Sequence, residues 1–144
     1  MKTYDPKAVT ITVGGFIMSG FAEDRMVNVA RMNDTWTLKT GTDGEGTRSK
    51  SNDKSGEVTI SLMETSESNA VLTAFAKADE YTNNGTFPLL VRDNNAESYY
   101  VATRAWVVKP PEADKGREAG VREWKIQTDH LEWVEFGTED IGLG

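Results

Sequence analysis

The stretch EVTISLMETSESNAVLTAFAKADEY, residues 57–81, contains the change of periodicity that decides the fold. In its first part Val58, Ile60 and Leu62 alternate with polar side chains, which is typical of a strand with one buried face. In its second part, residues 66–81, apolar side chains recur at helical spacing after serines that can cap the first turn. The stretch therefore predicts a strand that is followed directly by an α-helix.

Further strand patterns lie on both sides of this stretch. Each is an alternation of apolar and polar residues, or a run of β-branched and aromatic residues, between turn signals. The predicted strands are residues 7–14, 26–32, 35–40, 57–63, 87–93, 98–109 and 121–136. The last run changes phase near His130, which predicts a bulge or a bend there. We expect a mainly β domain, a β-sandwich or small barrel with one α-helix packed on its outside.

The domain is expected to span residues 1–144 and to carry two segments without a core-forming pattern. The tail, residues 137–144, is expected to be flexible or to serve as an arm. The stretch GTDGEGTRSKSNDKSG, residues 41–56, has no apolar side chain although it separates two predicted strands. It is interpreted as a long polar loop, and a loop of that length is usually functional or a misassigned element. Folded as a hairpin, it would reach about 25 Å.

The composition excludes several classes of function. The chain has a formal net charge of −7, one histidine and no cysteine. Without cysteine neither a disulfide framework nor a thiolate metal site can form, and a single histidine argues against a nucleophilic triad or a histidine-rich metal centre. The glycines of residues 41–47 do not match a phosphate-binding loop, because acidic residues stand among them and a strand follows. We expect no catalytic residue, no metal and no cofactor.

The charge and the apolar pattern also bear on partners and location. A net negative charge repels phosphate backbones and argues against a nucleic-acid-binding protein. The amino-terminal residues lack the pattern of a signal peptide, and no apolar run is long enough for a membrane span. We expect a soluble protein made in the cytoplasm, without membrane contact.

Four stretches of the chain resemble the tube subunits of contractile-tailed bacteriophages and, by extension, the tube protein of type VI secretion systems. They are YDPKAVTITVGGFIMSGFAED (4–24), RSKSNDKSGEVTISLMETSESNAVLTAF (48–75), FPLLVRD (87–93) and REWKIQTDHLEW (122–133). The resemblance rests on these phrases and on the order of strands and helix, and it covers most of the chain.

The resemblance implies a structural virion protein without enzymatic activity. Six copies would form a ring in which strands close one barrel around a lumen, and rings would stack into a tail tube through which DNA passes without specific binding. The implied partners are further copies of the chain and the sheath, tape-measure and baseplate proteins, in a virion tail assembled in the host cytoplasm. Residues 41–56 would then contact a neighbouring copy or ring through the charged side chains Asp43, Glu45, Arg48, Lys50, Asp53 and Lys54.

Three alternatives stay open. A tail terminator or a baseplate component would also form rings of this fold. A small β-barrel could instead bind an apolar ligand in its interior. Residues 41–56 could also be a surface hairpin of a monomer, without a partner.

Overall fold

The computed structural model describes residues 9–23, 26–95, 97–112 and 120–135. Most of these residues lie in β-strands, and the helix predicted after the strand at 57–63 is present, which confirms the predicted mainly β fold with one helix. The predicted tail at 137–144 lies outside the described residues. In chain order the elements are β1 (Val9–Val13), β2 (Phe16–Ile17), β3 (Val27–Arg31), β4 (Trp36–Thr40), β5 (Gly46–Lys50), β6 (Gly56–Met63), α1 (Ser68–Thr82), β7 (Phe87–Asp93), β8 (Ser98–Val107), β9 (Val121–Thr128) and β10 (Glu132–Glu135).

The strands form one large antiparallel sheet and one separate hairpin. The large sheet has the order β2-β1-β7-β8-β9-β6-β3, and β10 pairs with β8. Strand β8 is long enough to have two neighbours on the same side: its first residues pair with β10 and its last with β9. Strands β4 and β5 pair with each other and form the hairpin.

The hydrophobic core lies between one face of the sheet and α1. Ile60, Leu62 and Trp124 from the sheet are fully buried, and so is Leu72 of the helix. Phe75 of α1 packs against Phe87 of β7, with ring centroids 4.8 Å apart. Such burial contributes about 1.5–3 kcal/mol for each large apolar side chain, so this face holds the helix on the sheet.

The helix begins and ends close to the predicted residues 66–81. The hydroxyl of Ser66 accepts a hydrogen bond from the amide of Ser68 at 3.2 Å, just before the first turn. At the other end Asn83 adopts the left-handed conformation, with φ of 57°, and its amide donates to the carbonyl of Asp79. Gly85 follows, and a Cβ atom there would overlap the backbone of Phe75 and Asp79. This contact lets β7 start directly beneath the helix.

Two predicted segments need correction. Residues 41–56 are not a loop throughout, because residues 46–50 form β5. Strand β5 pairs with β4 and is exposed on both faces. Because neither face is buried, its sequence has no alternation of apolar and polar residues that could predict a strand. Residues 121–136 are not one bent strand: β9 ends at Thr128 and β10 begins at Glu132. The phase change near His130 marks this break, where the chain moves from one part of β8 to another.

Candidate assembly surface

The β4–β5 hairpin stands apart from the core of its own chain. Every residue of both strands is exposed, including Leu38, which is 72% exposed, and Trp36, which is 44% exposed. An isolated two-stranded hairpin is only marginally stable in water. The hairpin is therefore a candidate for contact with another molecule.

The two faces of the hairpin differ in character. Trp36 pairs with Lys50 and Leu38 with Arg48, so these four side chains share one face, here called the Trp36 face. The guanidinium of Arg48 lies over the indole of Trp36, 3.9 Å from the ring centroid. The opposite face, here called the Lys39 face, carries Thr37, Lys39, Thr47 and Ser49. Because neighbouring residues of a strand point to opposite sides, only the Trp36 face combines apolar and cationic groups.

The tip of the hairpin is a closed, acidic turn. The amide of Gly41 donates to the carbonyl of Glu45 at 2.8 Å, and the amide of Gly44 donates back to the carbonyl of Gly41 at 3.0 Å. Gly44 has a φ of +87°, a conformation that side-chain-bearing residues rarely adopt. A carboxylate oxygen of Asp43 accepts from the amide of Glu45 at 3.1 Å. The turn leaves two exposed carboxylates at the end of the hairpin.

The base of the hairpin is closed by hydrogen bonds to Asp53. Its carboxylate accepts from the amide of Ser55 at 3.0 Å and from the side-chain amide of Asn33 at 2.6 Å. These donors, with the Ser55 backbone first, hold the pKa of Asp53 below its ordinary value. The amide of Ser51 also donates to the carbonyl of Thr35 at 2.7 Å. The two strands thus leave the domain side by side.

The base is also tied to the connection between β9 and β10. Lys54 Nζ donates to Glu132 Oε1 at 3.1 Å, and His130 Nε2 lies 2.6 Å from the same oxygen. Lys54, His130 and Glu132 are here called the root cluster. The hydrogen bond from Lys54 is the main reason that the pKa of Glu132 lies below its ordinary value. The Leu131 amide donates to the Lys54 carbonyl, and an Arg31 guanidinium nitrogen donates to the Leu131 carbonyl. The connection therefore contacts the chain on both sides of the hairpin.

The six charged residues predicted as a contact site fall into three groups. Asp43 and Glu45 lie in the tip. Arg48 and Lys50 lie on the Trp36 face, and Asp53 and Lys54 lie at the base, bonded to groups of their own chain. The prediction from charged residues missed Trp36 and Leu38. The sequence could have indicated them, because the alternating stretch TWTLKT is followed by a stretch without apolar residues that could cover them.

The large sheet ends at β2 on one side and at β3 on the other. On β2, Phe16 is 54% and Ile17 is 71% exposed. Exposed strand edges are templates for pairing with another chain. These edges are a second candidate surface for assembly.

Small-ligand sites need metal-binding side chains or an apolar pocket. In the described ranges no group of three or more histidine and acidic side chains is arranged to hold a metal ion. A surface cleft of about 400 Å³ is lined mainly by prolines and by charged residues such as Lys109, Glu112, Glu123 and Lys125. Such a lining does not resemble an apolar ligand pocket. Helix α1 is too short and too polar to cross a membrane.

Comparisons with known proteins agree on one kind of protein. Residues 1–134 match the family model described as "Bacteriophage PhiTE tail tube protein". The chain is 31% identical over 148 residues to "Structural protein ORF10" of Pseudomonas phage KPP10, covering 97% of this chain and 86% of that protein.

Solved structures share the fold at low sequence identity. The tube-terminating cap of the anti-feeding prophage has a TM-score of 0.65 at 11% identity, covering 94% of this chain and 93% of that one. A chain of the extended sheath-tube complex of the extracellular contractile injection system PVC has a TM-score of 0.62 at 12% identity, covering 92% of both chains.

Proposed function

The chain belongs to the bacteriophage PhiTE tail tube protein family, and from this premise we propose that it forms hexameric rings that stack into a DNA-conducting tail tube. As a member of this family it is a structural protein of the phage tail and not an enzyme. The single observation that carries the proposal, beside the family, is the hairpin, whose exposed Trp36 and Leu38 need a covering surface. A neighbouring copy supplies that surface in a tube.

The edges of the large sheet support closure into a ring. Strand β2 at one end of the sheet and strand β3 at the other are available for contact with neighbouring copies. A barrel shared among copies covers such edges. Head-to-tail contacts that close by rotation give a ring, and contacts repeated by translation give a filament. Both kinds of contact are needed for a tube of stacked rings.

The charge of the protein supports a conduit that does not hold DNA. The formal net charge is −7. The solvent face of the sheet mixes basic residues such as Lys125 with acidic residues such as Glu57 and Glu123. DNA carries about one negative charge per 1.7 Å of its axis, and a basic lining would bind it by counterion release. A mixed or acidic lining lets the DNA slide.

The hairpin is the proposed contact between successive rings. Asp43, Glu45, Arg48 and Lys50 are exposed along it and can pair with charged groups of the next ring. Asp53 and Lys54 contribute at its base, where their bonds within the chain set the position of the hairpin. For the outside of the tube we propose a sheath, since one solved structure of this fold is part of a sheath-tube complex. Tape-measure and baseplate proteins complete the proposed set of partners.

A second candidate function is a tube terminator, since the cap of the anti-feeding prophage has the same fold. A terminator and a tube subunit both form rings. They differ in that terminator rings do not stack into long tubes. Images of the assembled protein therefore separate the two functions.

Electron microscopy and sedimentation of the purified chain test the proposal. We expect rings and long tubes at high protein concentration. Replacing residues 36–50 with two glycines removes the hairpin, and the closeness of Thr35 and Ser51 allows this short link. The shortened chain should fold and form rings without long tubes, because the deleted residues are all exposed.

Three outcomes would contradict parts of the proposal. Wild-type protein that stays monomeric at every concentration contradicts ring formation. Wild-type rings that never stack favour the terminator. Long tubes of the shortened chain show that the hairpin is not the stacking contact.

A further inference from the structure

We infer that the Trp36 face of the hairpin, and not its charged tip, docks on an acidic surface of a second copy of this chain. The inference rests on the proposed function and adds to it the contacting side chains and the chemistry of the surface they meet. It assigns the apolar contact to Trp36 and Leu38 and the choice of partner to Arg48 and Lys50.

The apolar part of the face needs a cover. Trp36 and Leu38 lie two residues apart on the same side of β4, and both are largely exposed. Tip and base are closed by hydrogen bonds of the chain itself, so the hairpin is already shaped before any partner binds. A shaped hairpin loses little conformational freedom on binding, which favours affinity.

The charges of the hairpin identify the partner. The Trp36 face carries Arg48 and Lys50 and no acidic residue, a formal charge of +2 in a chain of −7. All other residues of a copy therefore sum to −9. A second copy is thus a strongly acidic partner, and it suits this basic face better than the acidic tip with Asp43 and Glu45. Complementary charge of this kind steers association and selects the partner.

The contact of Arg48 with Trp36 prepares the face for a carboxylate. The guanidinium carbon lies over the indole, 3.9 Å from the ring centroid. A cation–π contact uses the charge of the guanidinium and not its N–H donors, so these donors can still bind a carboxylate of the partner. The contact holds the cation in place before a partner binds, and Leu38 on the same face is the more exposed apolar residue.

Burial of the apolar pair sets the strength of the contact. An exposed ion pair stabilises a complex several-fold less than the burial of a leucine side chain does. The pairs that Asp43 and Glu45 could form at the tip are therefore the weaker contribution. Leu38 and Trp36 provide most of the affinity, and Arg48 and Lys50 keep the contact specific.

Photo-crosslinking of the full chain tests the inference. A p-benzoylphenylalanine is placed at position 38, on the Trp36 face, or at position 39, on the Lys39 face. We expect crosslinks between copies from position 38 and few from position 39. Neither position is packed against the core, so both variants should fold.

Matched substitutions give a second readout. Arg48→Glu and Lys39→Glu make the same change of charge at exposed positions on opposite faces. Arg48→Glu should sharply weaken assembly, and Lys39→Glu should change it little. Leu38→Thr should raise the concentration for half-maximal assembly roughly tenfold or more, as expected for lost burial of a leucine.

Each outcome decides the inference. It is overturned if position 39 crosslinks as efficiently as position 38, if the two glutamate variants assemble equally, or if position 38 links only to a different protein. Tubes without crosslinks from position 38 overturn it and leave the proposed function standing. Crosslinks between copies from position 38 in a protein that forms no rings support this docking face and contradict the proposed function.

Discussion

Trp124 and Asn69 are buried together where α1 meets the sheet. The indole N–H donates to Asn69 Oδ1 at 2.9 Å, and Asn69 Nδ2 donates to the carbonyls of Met63 and Ser66, both at 3.0 Å. One asparagine thus fixes the turn from β6 into α1 and binds the central tryptophan of β9. The alternation in β9 predicts that Trp124 points to the core. It does not predict the partner, which lies 55 residues away in the chain.

Replacing Trp124 with phenylalanine tests this pair. The variant keeps an aromatic ring but leaves the buried Oδ1 of Asn69 without its donor and leaves part of the space empty. We expect a loss of about 2–4 kcal/mol in the free energy of unfolding, measured by urea denaturation under conditions that prevent assembly. The control is Trp106→Phe, on the other face of β8 and only partly buried, which should cost much less. Equal losses would show that the buried hydrogen bond contributes little.

The strands differ in how well the sequence predicts them. Strand β6 alternates Val58, Ile60 and Leu62 with polar residues because one of its faces is buried, and it begins one residue before the prediction and ends where predicted. Strand β5 is exposed on both faces, so its residues carry no pattern that could predict it. The two-residue strand β2 is too short to show a pattern. For the candidate site, the sequence predicts a polar segment with charged side chains at residues 41–56. It does not predict the apolar Trp36 face, because that face forms only when β4 pairs with β5.

The root cluster predicts that the stability of the fold decreases at acidic pH. Because the folded-state pKa of Glu132 is lowered, its contribution to stability is complete above the ordinary glutamate pKa, about 4.3, and is lost as the pH falls through the lower folded value. Lys54 and Glu132 are about two fifths exposed, so solvent screens the pair and we expect less than about 1 kcal/mol.

Urea denaturation between about pH 6 and pH 3 measures this contribution. Lys54→Met removes the main hydrogen bond to Glu132, so the variant should lose less stability on acidification than the wild type. Lys50→Met is the matched control, since Lys50 lies on the exposed hairpin strand, and it should keep the wild-type acid profile. A Lys54→Met profile that parallels the wild type would show that the pair does not stabilise the fold.

The molecule as a whole combines an ordinary core with surfaces that one copy leaves uncovered. The resemblance of its sequence to phage tube subunits is confirmed by the family match over residues 1–134. The assembly cannot be read from alternation and charge, because these patterns report burial within one chain and not contacts between copies. The exposed hairpin and the sheet edges motivate the proposed assembly, since a lone copy leaves Phe16, Ile17, Trp36 and Leu38 in water.

Cryo-electron microscopy of the protein assembled at high concentration tests the central claim most directly. We expect a tube of stacked sixfold rings in which the hairpin of each copy lies on another copy, with Trp36 and Leu38 covered. Particles that remain single chains of 15.9 kDa at every concentration, or rings whose hairpins stay in solvent, would contradict the account.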